Sequence, residues 1–329
     1  MPRTVRFHQL GGPENLIIED LPSWQPGRGE VKLHVEAVGL NRAEAMYMRG
    51  QYFETPELPS RIGYEACGTV EAVGPEVDES WLGKRVGTIP GYSQNKYGVL
   101  AEEAIVEEYS LAESPSHLTP VEGAAVWMQY ATAYGAIILI GKCTKGDAVI
   151  IPAASSSVGI AAIQLVKDAG GIAIAATRTS KKKYELLALG ADHVIATEEE
   201  DLPKKVAEYT DGKGVKIIFD PVGGPYAETL AEAAGQNSTY FLYGGLSGQS
   251  TPFPMRSSIS KGMVMRGYTL MSIRANPDLL KAAKQYIFDR LQDGRLKPVI
   301  AKTFPFEQSR QAYEYLESNQ QIGKVVITL

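Results

Sequence analysis

The sequence predicts an α/β protein of two lobes, one β-rich and one built on a doubly wound parallel sheet, and three observations predict it. At 329 residues the chain exceeds what one hydrophobic core of about 150 residues usually organises. Across 31–37, Val31, Leu33, Val35 and Ala37 alternate with Lys32, His34 and Glu36, the period of an antiparallel strand with one wet face. From about residue 124 the pattern changes to wholly apolar, β-branched runs separated by helical segments. Parallel strands buried on both faces and joined by right-handed crossovers require that pattern.

In chain order, the β-rich part adds short strands at 68–73, 85–89 and 104–106, broken by Gly74-Pro75 and Pro90-Gly91. The parallel part reads as strands 148–152, 172–177, 194–196, 215–219 and 240–243, with helices such as 158–169 and 181–189 between them. Amphipathic helices at about 277–291 and 306–317 and a closing strand, 324–329, complete the chain.

Composition narrows the function. Hydrophobic residues make up 44% and charged residues 22%, which fits a compact globular chain. The net charge of −5 comes without any run of cations able to follow a phosphate backbone, so nucleic acid is not an expected partner. Cys67 and Cys143 are the two cysteines, too few for a disulfide framework or a cysteine-rich metal cluster. Arg3 and Arg6 near the amino terminus have no apolar run behind them, and the apolar stretch 131–140 is short for a bilayer. A cytoplasmic protein with no membrane partner is expected.

The segment 149–165 reads as a buried strand, a turn of small residues and a helix. In a dinucleotide site the pyrophosphate sits on such a helix amino terminus, here at Ser156, Ser157, Val158 and Gly159. The pattern Gly-x-Gly-x-x-Gly would place glycines at 154, 156 and 159; Ala154 and Ser156 replace the first two. On these residues alone, an ordinary strand-to-helix turn capped by serine is an equal alternative. The next strand separates the two. Where an NAD site ends that strand with a carboxylate for the ribose 2′-hydroxyl, this chain has Thr177-Arg178-Thr179-Ser180-Lys181-Lys182-Lys183. Guanidinium and ammonium groups with nearby hydroxyls stabilise a 2′-phosphate, so NADPH is favoured, with Arg178 first, then Lys182 and Ser180. Lys181 and Lys183 read as a solvated basic helix start facing water.

The strings 153–164, Leu189-Gly-Ala-Asp-His-Val-Ile195, Phe219-Asp-Pro-Val-Gly-Gly224 and Tyr243-Gly-Gly-Leu-Ser-Gly248 resemble the medium-chain dehydrogenase/reductase superfamily, in its zinc-free quinone oxidoreductase-like branch. Asn41-Arg-Ala-Glu44 and Gly63-Tyr-Glu-Ala-Cys-Gly-Thr-Val70 extend the resemblance to the first lobe. It implies a GroES-like β-rich catalytic domain, 1–123 with 272–329, around a Rossmann coenzyme domain, 124–271. It also implies a homodimer through edge strands near 264–270. Zinc-dependent relatives bind the metal where this chain has Asn41, Tyr64 and Met128, none of which suits Zn²⁺, so no metal is expected.

Without a Lewis acid, alcohol oxidation is hard to explain. Hydride transfer to a quinone or an α,β-unsaturated carbonyl needs only hydrogen-bond donors for the enolate formed. The resemblance places Asn41, Tyr64 and Thr132 around the nicotinamide and Arg42 near the pyrophosphate. Glu65 reads better as a structural carboxylate holding a turn or pairing with arginine than as a catalytic one. Tyr52 and Gln94 are the preferred polar pair among candidate pocket walls. Gly223, Gly244 and Gly245, with Tyr243, lie just past two strand ends where ligands bind in open α/β sheets. An NADPH-dependent reductase is therefore the leading expectation. A nucleotide-binding structural or regulatory protein with little turnover is the alternative, motivated by the serine-substituted loop, and an alcohol dehydrogenase comes third.

Overall fold

The computed structural model describes residues 1–329, which divide into two compact units, Met1–Met128 with Lys297–Leu329, and Gln129–Leu296. Sixteen strands follow in chain order. The first unit begins with β1 (Arg3–Phe7), β2 (Leu16–Asp20), β3 (Glu30–Gly39), β4 (Ser60–Arg61), β5 (Glu65–Val73), β6 (Arg85–Thr88), β7 (Glu103–Glu107) and β8 (Leu111–Glu113). The second unit holds β9 (Ala148–Ile151), β10 (Ile172–Thr177), β11 (His193–Ala196), β12 (Val215–Asp220), β13 (Ala234–Leu242) and β14 (Val264–Gly267). The chain then returns to the first unit with β15 (Ile300–Pro305) and β16 (Lys324–Thr328).

In the first unit β3 is the spine. It pairs antiparallel with β5, β7 and β16, in a seven-stranded sheet whose main path runs β15-β16-β3-β5-β6-β8. The alternation read from 31–37 matches: Val31, Leu33, Val35 and Ala37 are buried, and His34 faces water. Backbone contact is close enough that Gly39 and Gly68 admit no side chain. A Cβ on Gly39 would lie 1.9 Å from the Ala124 carbonyl oxygen, and one on Gly68 would lie 2.2 Å from that of His34. A second sheet, β2-β1-β4, covers part of the same core, which includes Val5, Phe7, Tyr47 and Tyr313.

The second unit is a six-stranded parallel sheet in the order β11-β10-β9-β12-β13-β14. Sequence order reverses between β9 and β12, so the loops leaving their carboxyl ends flank the crevice where open α/β sheets take ligands. Val149, Ile150 and Ile151 in β9 and Ile217, Ile218 and Phe219 in β12 are fully buried, as two-sided packing demands.

The expected division of the carboxyl-terminal part differs from the structure. Helix Pro277–Gln292 belongs to the second unit rather than to the β-rich one. Its Tyr286 hydroxyl donates to Asp168 at 2.9 Å, Arg290 pairs with the same carboxylate at 2.5 Å, and Tyr286 packs on Tyr134 with ring centroids 4.7 Å apart. The stretch Pro120–Ile140 is also longer than the apolar run in the sequence. At 21 residues it has the length and composition to cross a bilayer, but most of it is buried within the protein, as in a core helix.

Candidate active site

In the first unit, four buried polar side chains meet where β3, β5 and β16 come together. Asn41 caps helix Arg42–Met48, and its backbone N–H donates to the Glu44 carboxylate. The other Glu44 oxygen accepts from the Tyr64 backbone N–H at 2.9 Å, so one fully buried carboxylate ties the segment of Asn41 to that of Tyr64. Glu65 divides its two oxygens. One accepts from three successive backbone N–H groups, Val126 at 3.0 Å, Trp127 at 2.5 Å and Met128 at 3.2 Å, at the start of helix Trp127–Ala133. The other accepts from the Lys324 ammonium at 2.6 Å, which also donates to Asn41 Oδ1 at 2.6 Å. Glu65 is therefore the structural carboxylate the sequence suggested, but its partner is a lysine and its turn a helix start.

Burial pushes the Glu44 carboxyl up to about 7, against the pull of Lys324 and three hydrogen bonds. A raised carboxyl stabilises the fold below its unfolded value of about 4.5 and loses that contribution as pH rises through 7. The difference of about 2.5 units corresponds to about 3 kcal/mol. Glu44→Gln should remove this dependence. Its unfolding free energy should gain about 3 kcal/mol on the wild type between pH 4 and pH 8, and parallel profiles would show that Glu44 does not titrate there.

Tyr64 starts an edge-to-face series of rings: Tyr52 lies 6.0 Å away and Tyr92 5.5 Å, with Tyr97 6.3 Å beyond Tyr92. The Tyr52 and Tyr64 hydroxyls share a hydrogen bond, and burial raises both above the usual phenol range. Gln94 is fully buried below them. Its Oε1 accepts from Gly63 N–H at 3.2 Å, while its Nε2 has no partner. Asn41, Tyr64, Tyr52 and Gln94 thus share one region. Arg42 does not join them: its guanidinium bonds the Leu316 carbonyl at 2.8 Å and Asn319 at 2.5 Å.

In the second unit, the loop after β9 turns through Ala153 at φ 49°, and Ser156 caps helix Ser157–Asp168 by accepting from Gly159 N–H at 3.1 Å. Gly159 is required sterically, since a Cβ there would lie 2.6–2.8 Å from backbone atoms of Ala153 and Ala154. The surviving glycine of the motif is therefore the one that lets the helix pack closely. Past β10, Arg178 is exposed, and Lys182 reaches back to Ser155 Oγ at 3.1 Å. Burial, then the Arg178 charge, lowers the Lys182 ammonium. Thr177 and Arg178 bond through their carbonyls to Thr197 and Glu198. The Glu199 carboxylate accepts the Ser180 backbone N–H at 3.0 Å and bonds its hydroxyl.

After β12, the buried Asp220 accepts from Val222 N–H at 2.7 Å, Gly223 N–H at 3.1 Å and Tyr240 Oη at 2.6 Å. Gly223 turns at φ 63°, and Gly244 packs where a Cβ would lie 2.6 Å from the Pro221 carbonyl; Gly245 is open. Tyr243 stacks on Phe219 at 4.0 Å with its hydroxyl unpartnered. Thr132 is buried. Sequence reasoning missed Lys324 and Asp220. The only signal for each was a charge at the end of a largely apolar strand.

Comparison with known proteins agrees with this architecture. Residues 27–116 match the alcohol dehydrogenase GroES-like domain and residues 189–327 the zinc-binding dehydrogenase family. A quinone oxidoreductase of Pseudomonas aeruginosa is 29% identical over 99% of both chains. A 2-haloacrylate reductase of Burkholderia sp. is 27% identical over 98% of this chain and 97% of its own. The crystal structure of Escherichia coli quinone oxidoreductase complexed with NADPH superimposes with a TM-score of 0.91 at 25% identity, covering 99% of this chain and 100% of that one. The fold is thus a GroES-like domain combined with a Rossmann-type parallel sheet, the architecture of medium-chain oxidoreductases. The chain belongs to the medium-chain dehydrogenase/reductase superfamily, in its quinone oxidoreductase-like branch.

Proposed function

We propose that this chain is an NADPH-dependent reductase that delivers hydride, without a metal, to a quinone or to the activated double bond of an α,β-unsaturated carbonyl. The observation that carries the proposal is the pair of cations, Arg178 and Lys182, beyond β10, where a carboxylate would select NADH. NADPH supplies the hydride when bound. Arg178 and Lys182 would hold its 2′-phosphate, the start of helix Ser157–Asp168 its pyrophosphate, and the Gly223 and Gly244-Gly245 turns would leave room beside it.

The acceptor side belongs to the tyrosines. In this reading Tyr64 would donate to Tyr52, leaving the Tyr52 proton for the oxygen on which charge develops, and the saturated carbonyl forms when a proton reaches the enolate. Positions 41, 64 and 128 carry Asn, Tyr and Met, and no three His, Cys, Asp or Glu side chains converge into a metal-holding group. That donor set favours stabilisation of the enolate by hydrogen bonds. The names of the relatives, a quinone oxidoreductase and a haloacrylate reductase, fit acceptors of this electronic type.

A homodimer through β14 and a cytoplasmic location belong to the same proposal. β14 is the edge of its sheet, and Met255, Ile259 and Val264 beside it are exposed. Sedimentation at the mass of one chain would exclude the dimer. The reductase itself is tested with chelator-treated protein, NADPH and a panel of quinones, enones and alcohols. Oxidation of NADPH with the first two classes is expected; cofactor binding without turnover would instead identify a nucleotide-binding protein.

A further inference from the structure

The link between Lys324 and Glu65 is made in a setting where charge is expensive, since both side chains are 0% exposed. The rest of the strand core around Lys324 is Val325, Val326 and Ile327, so an apolar residue at its head would suit the strand equally well. Replacing a buried ion pair by apolar groups is often neutral or stabilising, so fold stability alone does not account for the ammonium.

Its geometry does. Lys324 Nζ joins Asn41 Oδ1 to Glu65 Oε2, each at 2.6 Å. With Oδ1 engaged, the Asn41 amide nitrogen donates to the Gly39 carbonyl at 3.0 Å, and the carboxamide orientation is fixed. Glu65 follows Tyr64 directly in the chain, and its other oxygen holds the N–H groups of 126–128. One ammonium on β16 therefore fastens together the two segments that present Asn41 and Tyr64, together with the start of helix Trp127–Ala133.

We propose that Lys324 is a positioning residue of the reductase: by bridging Asn41 and Glu65 it sets the spacing between the Asn41 and Tyr64 segments, and through that spacing the rate of hydride transfer. The assignment rests on the reductase reading. It predicts an effect on turnover, because Arg178, Lys182 and the loop after β9 all lie in the other unit.

The test is the double variant Lys324→Met/Glu65→Gln, which removes both charges, keeps the volumes and leaves an acceptor for the three N–H groups. Melting temperature, NADPH affinity by fluorescence, and kcat and KM for an accepted quinone are compared with the wild type. The expected result is NADPH affinity and KM within threefold of wild type and kcat reduced at least 30-fold. If kcat stays within twofold, or falls only in step with lost NADPH affinity, the pair is purely structural and the proposal is overturned. Should the double variant not fold, the same thresholds apply to Lys324→Gln, which keeps an amide donor toward Glu65. Wild-type protein that binds NADPH but leaves it unoxidised with every quinone and enone offered overturns the reductase reading itself, and the assignment with it. An active wild type with an unimpaired variant overturns the assignment alone.

Discussion

Tyr52→Phe should lower kcat/KM for an enone or quinone about 100-fold while leaving NADPH affinity within threefold, because a positioned general acid is commonly worth about 10²–10⁴ in rate. The substitution removes one hydroxyl and keeps the ring, whose contacts with Phe53 at 5.1 Å and Tyr64 at 6.0 Å need no oxygen. Folding should therefore be preserved. Tyr64→Phe should cost less, about tenfold, since Tyr64 is proposed to act through its hydrogen bond with Tyr52 rather than on the acceptor directly. Steady-state kinetics beside cofactor fluorescence separate the two effects. Equal losses in both variants would place the acceptor on Tyr64 instead, and no loss in either would remove the tyrosines from the chemistry.

Arg178→Glu should weaken NADPH binding by about 30-fold and NADH binding by less than threefold. A charge-assisted hydrogen bond to phosphate contributes about 2 kcal/mol, which is about 30-fold in affinity. The introduced carboxylate repels a 2′-phosphate but can accept from a 2′-hydroxyl, so the loss falls mainly on NADPH. Arg178 is exposed at the end of β10, so the exchange should leave the sheet intact. Lys182→Met should have a smaller effect on NADPH and some effect on NADH, because Lys182 also supports Ser155 in the loop. Calorimetric titration with both cofactors reads all four values. Matching losses for NADPH and NADH in Arg178→Glu would mean that Arg178 does not read the phosphate.

The parallel sheet was readable because strands buried on both faces must be apolar throughout, and β9, β10 and β12 lie within a residue of where their β-branched runs place them. β2 was not readable: its Leu16-Ile17-Ile18 run exposes both isoleucines, so no alternation marks an inner face. Helix Pro277–Gln292 shows why periodicity identifies a helix without assigning its partner. The apolar face of Leu280, Ala283, Ile287 and Leu291 was visible, but its attachment depends on Asp168, more than 100 residues earlier. At the site, residue types around the cofactor loop followed from the chemistry of phosphate. The link through Lys324 did not, because its partners lie 283 and 259 residues away and no local pattern encodes them. Ser180 adds a contact no local pattern encodes: its backbone N–H is held by Glu199, 19 residues further on.

The proposed reaction is hydride transfer from NADPH to a conjugated carbon with hydrogen bonds in place of a metal. The test uses chelator-treated protein, NADPH carrying deuterium at both hydrogen positions of nicotinamide C4, and a cyclic enone, with the product examined by mass spectrometry and NMR. The expected product is a saturated ketone with deuterium on the β-carbon, formed at a rate that added Zn²⁺ does not raise. Product without deuterium at that carbon, or turnover that appears only when Zn²⁺ is restored, would contradict it.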